Sequence, residues 1–225
     1  MGLRDTLLNR VIIPRVQRAT PEASGKVARV AFGKALDGIG PLRPAAVYAD
    51  ARLQKANGNV REAIAGIISD HTKLAAVEGF ATNIGGLASK VATIPANVVG
   101  IAILQCRMVA AIAHLRGYDL GDDRVRTAVF ATILGSKAVR KLLAEDRIPS
   151  RPRDIATGPP IDEKTANQIG AAVIGEIIAR AAGRSTASFI GRSIPGLAGI
   201  IGGATDGWTT RQVGRYASKE HGPTL

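Results

Sequence analysis

Residues 74–119 read LAAVEGFATNIGGLASKVATIPANVVGIAILQCRMVAAIAHLRGYD, and their reading decides the fold of this chain. Two long apolar segments flank a glycine-rich joint at Gly79, Gly85 and Gly86. Each glycine inside a helix costs roughly 1 kcal/mol relative to alanine. A run of them is tolerated only where a neighbour packs closely or the chain turns. Pro95 starts or kinks the next helix, which is expected to run to about Arg116 and stop at Gly117. Its apolar span from Asn97 to Cys106 is interrupted by Arg107. That is short of the roughly 20 apolar residues a bilayer crossing needs. A half-inserted hairpin or a buried core helix fits better.

Upstream, Val60, Ile64, Ile67, Ile68, Leu74 and Ala75 recur at helical spacing, and His71 and Glu78 fall in the same stripe. On the helix after Pro95, Gly100, Ile103, Arg107, Ala110 and His114 share one face. A buried carboxylate is costly unless paired. The two helices are therefore expected to pack antiparallel, with Glu78 meeting Arg107 or His114. Such a contact is either a buried polar pair that fixes helix register or a small functional pocket. Convergence of Glu78, His71, His114 and Asp119 would furnish weak candidates for hydrolytic or proton-transfer chemistry. Nothing in the spacing requires it, and no catalytic residue is assigned.

Hydrophobic residues make up 46% of the chain and aromatics only 4%, with 26 glycines. The core must be built from Ala, Val, Ile and Leu, the composition of tightly packed helices. Net charge is +12, and half of the excess lies in residues 1–60. Residues 2–18 read as a basic amphipathic helix ended or kinked near Pro14, with Arg4, Arg10, Arg15 and Arg18 off the apolar stripe. These four arginines are the candidate lipid-headgroup contacts. Cys106 is the sole cysteine. It can form no intrachain disulfide, which points to a reducing compartment.

Farther along, Asn59 caps a helix with Glu62 in capping-box spacing, and Gly121-Asp122-Asp123 opens another whose acidic first turn suits the helix dipole. Residues 144–160, AEDRIPSRPRDIATGPP, read as an exposed Arg/Pro-rich loop. A helix starting near Ile161 is expected to end at Gly183. The last helix, about 196–219, repeats small residues at Gly196, Gly199, Gly203, Gly207 and Gly214. Together with Gly85, Gly86 and Gly100 these are the candidate close-packing positions. Trp208 and Tyr216 lie beyond its apolar part, where interfacial aromatics sit.

Phosphate-loop, dinucleotide-binding and nucleophile-elbow motifs are all missing. His71, His114 and His221 lack companions at metal-site spacing, so neither a metal nor a cofactor is expected. The basic residues are not interleaved with aromatics, which makes nucleic acid a less favoured partner than an anionic membrane surface or a membrane protein.

Glu78-Gly79, the Gly85-Gly86 pair, Pro95, the run from Arg107 to His114 and the terminator Gly117-Tyr118-Asp119 together resemble the EcsC family. So does the segment 194–204, IPGLAGIIGGA. The resemblance spans roughly residues 45–220 and implies a bacterial helical protein, with no activity to carry over. The basic front lies outside it. The expectation is an all-α chain: a basic arm over residues 1–20, then one helical domain of about seven to nine helices over residues 21–225. The leading functional expectation is a non-enzymatic protein at the cytoplasmic face of the cell membrane, accessory to membrane or transport machinery, with a homo-oligomer possible. The alternatives are an enzyme with a polar pocket at Glu78, Arg107 and His114, and a polyanion-binding protein.

Overall fold

Local sequence signals set the helix ends. In a computed structural model, residues 29, 33–77, 96–191 and 197–223 are described. A helical turn at residues 33–37 is followed by a tight reversal in which Ile39 and Leu42 exchange two backbone hydrogen bonds. Gly38 enters that reversal at φ 99°, and a Cβ there would come within 2.9 Å of the Leu42 carbonyl oxygen, so only glycine fits. Helix α1 (Ala45–Lys55) ends before Asn57 and Gly58, both in the left-handed region. Helix α2 (Val60–Ala76) opens with the Asn59 side chain accepting from the Glu62 N–H. That satisfies one of the orphan donors of the first turn.

Helix α3 (Ala96–Leu115) follows, and Gly117 at φ 87° terminates it as expected. Helix α4 (Asp123–Thr132) is capped by Asp122, which accepts from the Arg124 N–H and is gripped by the Arg124 guanidinium. Gly135 at φ 72° separates α4 from α5 (Gly135–Ala144). Helices α6 (Pro152–Thr157), α7 (Glu163–Gly191) and α8 (Leu197–Glu220) complete the order. The chain is all-α, about 75% helical, and packs as a single domain, with no strand among the described residues.

The packing follows the small residues. A Cβ on Gly207 would lie 3.2 Å from the Thr72 carbonyl oxygen and 3.3 Å from the Ala76 Cβ. At Gly214 it would meet Ile68 Cγ1 at 2.8 Å and Met108 Sδ at 3.1 Å. Residues 72 and 207, then 68 and 214, are thus matched in opposite chain directions, so α8 runs antiparallel to α2. Gln105 donates to Thr210 at 3.2 Å and Met108 faces Gly214, which makes α8 parallel to α3. Helices α2 and α3 therefore run antiparallel. Helix α3 is the centre of the molecule: every residue from Leu104 to Ala113 is buried, and Cys106 is fully so. Its thiol is driven well above the usual range by burial.

Two sequence expectations need correction. Residues 144–160 are not a simple exposed loop: Pro152 at the first turn starts α6, and Ile148, Ile155 and Ala156 are 2%, 3% and 5% exposed. Proline without an N–H is at no disadvantage at a helix start, and the apolar residues between the arginines pack α6 against α4. Helix α7 also continues through Gly183 to Gly191. An interior glycine weakens a helix by about 1 kcal/mol but ends it only when the chain turns there.

Candidate functional site

The expected contact of Glu78 with Arg107 or His114 falls outside the described residues, because Glu78 does; the partners described for Arg107 are others. Arg107 projects from α3 between α1 and α2, is 3% exposed, and binds His71. Its Nε–H donates to the Arg43 carbonyl at 2.9 Å, and Nη1–H donates to His71 Nε2 at 3.1 Å. The guanidinium carbon lies 4.2 Å from the centre of the Tyr48 ring. His71 Nδ1–H donates to the Ile67 carbonyl at 2.8 Å, so the ring is neutral and Nε2 presents its lone pair to Arg107. Tyr48 stacks edge-on against His71 with centroids 5.3 Å apart and donates its hydroxyl to Asp70 at 2.7 Å, while Arg52 reaches Asp70 at 3.5 Å.

This network carries one buried cation whose described hydrogen-bond acceptors are neutral. The compensation is a carbonyl, an aromatic face and a neutral imidazole. Burial and the neighbouring Arg107 push the His71 pKa down to about 4, and burial lowers that of Arg107 as well. Because His71 is fully buried and each ring nitrogen is used, the arrangement ties α1, α2 and α3 together.

His114 lies two turns away and joins a different partner: its Nε2 is 2.8 Å from Asp50 Oδ1 near the surface. Asp119 accepts from the Gly121 N–H at 2.8 Å and shapes the turn into α4. His71, His114 and Asp119 therefore do not meet. Glu78 lies outside the described residues, as do Arg4, Arg10, Arg15 and Arg18, and Gly85, Gly86 and Gly196. Gly100 is buried in α3, while Gly199 and Gly203 fall on the first turns of α8. No cluster of three or more His, Cys, Asp or Glu side chains suited to a metal occurs among the described residues.

A second buried network closes the C-terminus. Thr132 donates to the Ala128 carbonyl, so its oxygen accepts from His221 Nε2–H at 3.0 Å. Tyr118 stacks edge-on to His221. Burial, then Arg153, lowers the His221 pKa to about 4. Next to it, the buried Glu220 carboxylate receives Arg151 Nη2 at 3.2 Å and the Arg153 N–H at 3.3 Å.

Outside this network, α2, α5 and α8 enclose an open groove of about 900 Å³. Arg61, Arg140, Arg151, Arg215 and Lys219 line it, with Ile64, Ile68 and Tyr216 as its less polar wall. All five cationic residues are exposed. Among the described residues Glu220 is the only acid that lines the groove, and its oxygens are already engaged. Arg61, Arg140, Arg215 and Lys219 have no acidic partner among the described residues. Along α8 the exposed residues Trp208, Arg211, Arg215 and Lys219 follow at steps of three and four, so they form one row about 16 Å long. Trp208 is 65% exposed.

Sequence reading noted Trp208 but missed the row behind it, although its spacing was there to be read. The groove was not readable, because Arg61 and Arg140 join it only through tertiary packing.

A family model described as the EcsC protein family matches residues 46–221. The chain belongs to the EcsC protein family. No curated protein and no solved structure matches it. In this EcsC-family chain the matched segment contains the side chains of the Arg107 network, the groove and the α8 row, whereas the Arg43 carbonyl and the basic front precede it. No helix among the described residues is long and apolar enough to cross a membrane.

Proposed function

We propose that this EcsC-family chain is a non-enzymatic helical protein that docks peripherally on an anionic membrane surface through the outer face of α8. The observation that carries the reading is the row Trp208, Arg211, Arg215 and Lys219, an exposed aromatic followed by three exposed cations on one helix face. Tryptophan favours the headgroup region, where an apolar ring and a polar N–H are both accommodated. Lys and Arg near an anionic leaflet contribute about 1 kcal/mol each. Val77, 55% exposed, follows Ala76, which packs against Gly207, so a second exposed apolar side chain lies near the Trp208 turn. The anionic leaflet best suited to such a face is the cytoplasmic one, where the protein would act beside membrane or transport machinery.

The chain's single tryptophan makes the test direct. Full-length protein is floated with vesicles of phosphatidylglycerol in phosphatidylcholine, and with phosphatidylcholine alone. Flotation with the anionic vesicles only, with a blue shift of Trp208 emission, is the expected result. Combining Trp208→Ala with Arg211→Gln should weaken flotation roughly tenfold or more. Unchanged flotation of that double variant, with binding abolished by deleting residues 1–18, would transfer the anchor to the basic front and overturn the α8 reading.

A further inference from the structure

The groove differs from the α8 row in shape and in the origin of its charges. Its cations come from four places in the chain: Arg61 from the first turn of α2, Arg140 from α5, Arg151 from the segment before α6, and Arg215 with Lys219 from α8. A solvated basic face needs no such convergence. Like charges gathered around a concavity repel one another, and that cost is offset only when an anion of matching charge enters. Counting Glu220, the described lining residues carry a net charge of +4.

Four of the five cations are arginines, whose planar fork matches the oxygens of phosphate groups in pairs. Arg151 is held from behind by Glu220, which leaves its other N–H groups facing outward. Ser136, in the first turn of α5, adds a hydroxyl at the rim, and no side chain caps that helix. Tyr216 keeps its proton, because burial and then Glu220 raise its pKa, and so stays a neutral wall. At about 900 Å³ the groove is far larger than one phosphate. A single monoanion would leave most of the cations uncompensated.

We propose that the groove between α2, α5 and α8 binds a compact group carrying two or more clustered phosphates. This inference rests on the reading of α8 as an anion-facing surface and names the chemistry its inner side selects. The phosphates come either from a polyphosphorylated lipid headgroup or from a free polyphosphate.

The test uses full-length protein and two probes, inorganic tripolyphosphate in solution and vesicles doped with phosphatidylinositol bisphosphate. Isothermal titration with tripolyphosphate should give one site, with inorganic monophosphate at least tenfold weaker. Arg61→Gln combined with Arg140→Gln should lower the tripolyphosphate affinity roughly tenfold or more, since each lost charge-assisted contact is worth that order. Both positions are exposed, and circular dichroism checks that the variant is folded. Trp208→Ala with Arg211→Gln, which lies off the groove, should leave tripolyphosphate binding unchanged.

If the doped vesicles compete with tripolyphosphate better than phosphatidylglycerol vesicles of equal charge, the source is a lipid headgroup. If they do not compete, it is a free polyphosphate. Absent one-site binding, or equal affinity in the Arg61/Arg140 variant, overturns the inference. Affinity that rises with oligonucleotide length would assign the groove to nucleic acid and overturn it too. Vesicle flotation without tripolyphosphate binding leaves the α8 reading standing and the groove inference fallen; tripolyphosphate binding without flotation does the reverse.

Discussion

At the scale of single residues, two buried histidines fix how the protein responds to acid. His71 and His221 are both 0% exposed, and both have their pKa lowered to about 4. Charged and polar neighbours act on each: Arg107, Arg52 and Asp70 around His71, and Arg153 on His221. A histidine whose folded pKa lies below its unfolded value of about 6.5 binds fewer protons folded than unfolded between those values. Its full stability is present above pH 6.5 and is lost as pH falls towards 4. Each shift corresponds to an order of 3 kcal/mol. Urea midpoints measured between pH 7 and pH 4.5 should therefore fall steeply, and replacing His71 with Gln should flatten the fall. A midpoint constant across that range would contradict the neutral, buried assignment of both rings.

Among the helices, one close approach lies at Gly214, where Ile68 and Met108 leave no room for a side chain. Gly214→Val forces α8 away from α2 and α3 and should cost 1–3 kcal/mol or more, roughly the penalty of overpacking a core. Gly58→Ala is a useful contrast: a Cβ there meets nothing within 4 Å, so any loss reflects its φ of 81° alone. Chemical denaturation of both variants separates contact from backbone strain.

The helix ends were legible because they are written locally, in Asn59 with Glu62, in Asp122 and in Gly117. On the last helix, Gly207 and Gly214 likewise announced close packing. Partner choice was not legible. Arg107 meets His71 and the Arg43 carbonyl because the reversal at Gly38–Leu42 brings α1 alongside α3, and no helical period encodes that placement. The 144–160 segment misled for a related reason. Its arginines and prolines dominate the composition, but Ile148 and Ile155 find cover only once α4 is in position.

For the molecule as a whole, the net charge of +12 governs long-range attraction while the core is almost free of charge. Surface attraction is screened over a Debye length of about 10 Å at 0.1 M salt and about 3 Å at 1 M. Sedimentation with anionic vesicles should therefore weaken at least tenfold between roughly 0.05 and 1 M sodium chloride. Far-UV circular dichroism over the same range should stay constant, because salt does not compete for buried Ala, Val, Ile and Leu. Loss of helicity in step with loss of binding would mean that ions act on the fold and not on the surface.

One feature of the central helix reaches beyond binding altogether. Cys106 is the only thiol in the chain, and it is enclosed on every side by α3's neighbours. A maleimide or disulfide reagent has no route to it in the closed molecule. Each labelling event therefore counts one excursion in which α3 leaves its surroundings. The native chain thus carries its own stopwatch for breathing, readable by mass without any added probe. If the proposed polyphosphate braces α2 against α8, adding tripolyphosphate should slow the labelling of Cys106.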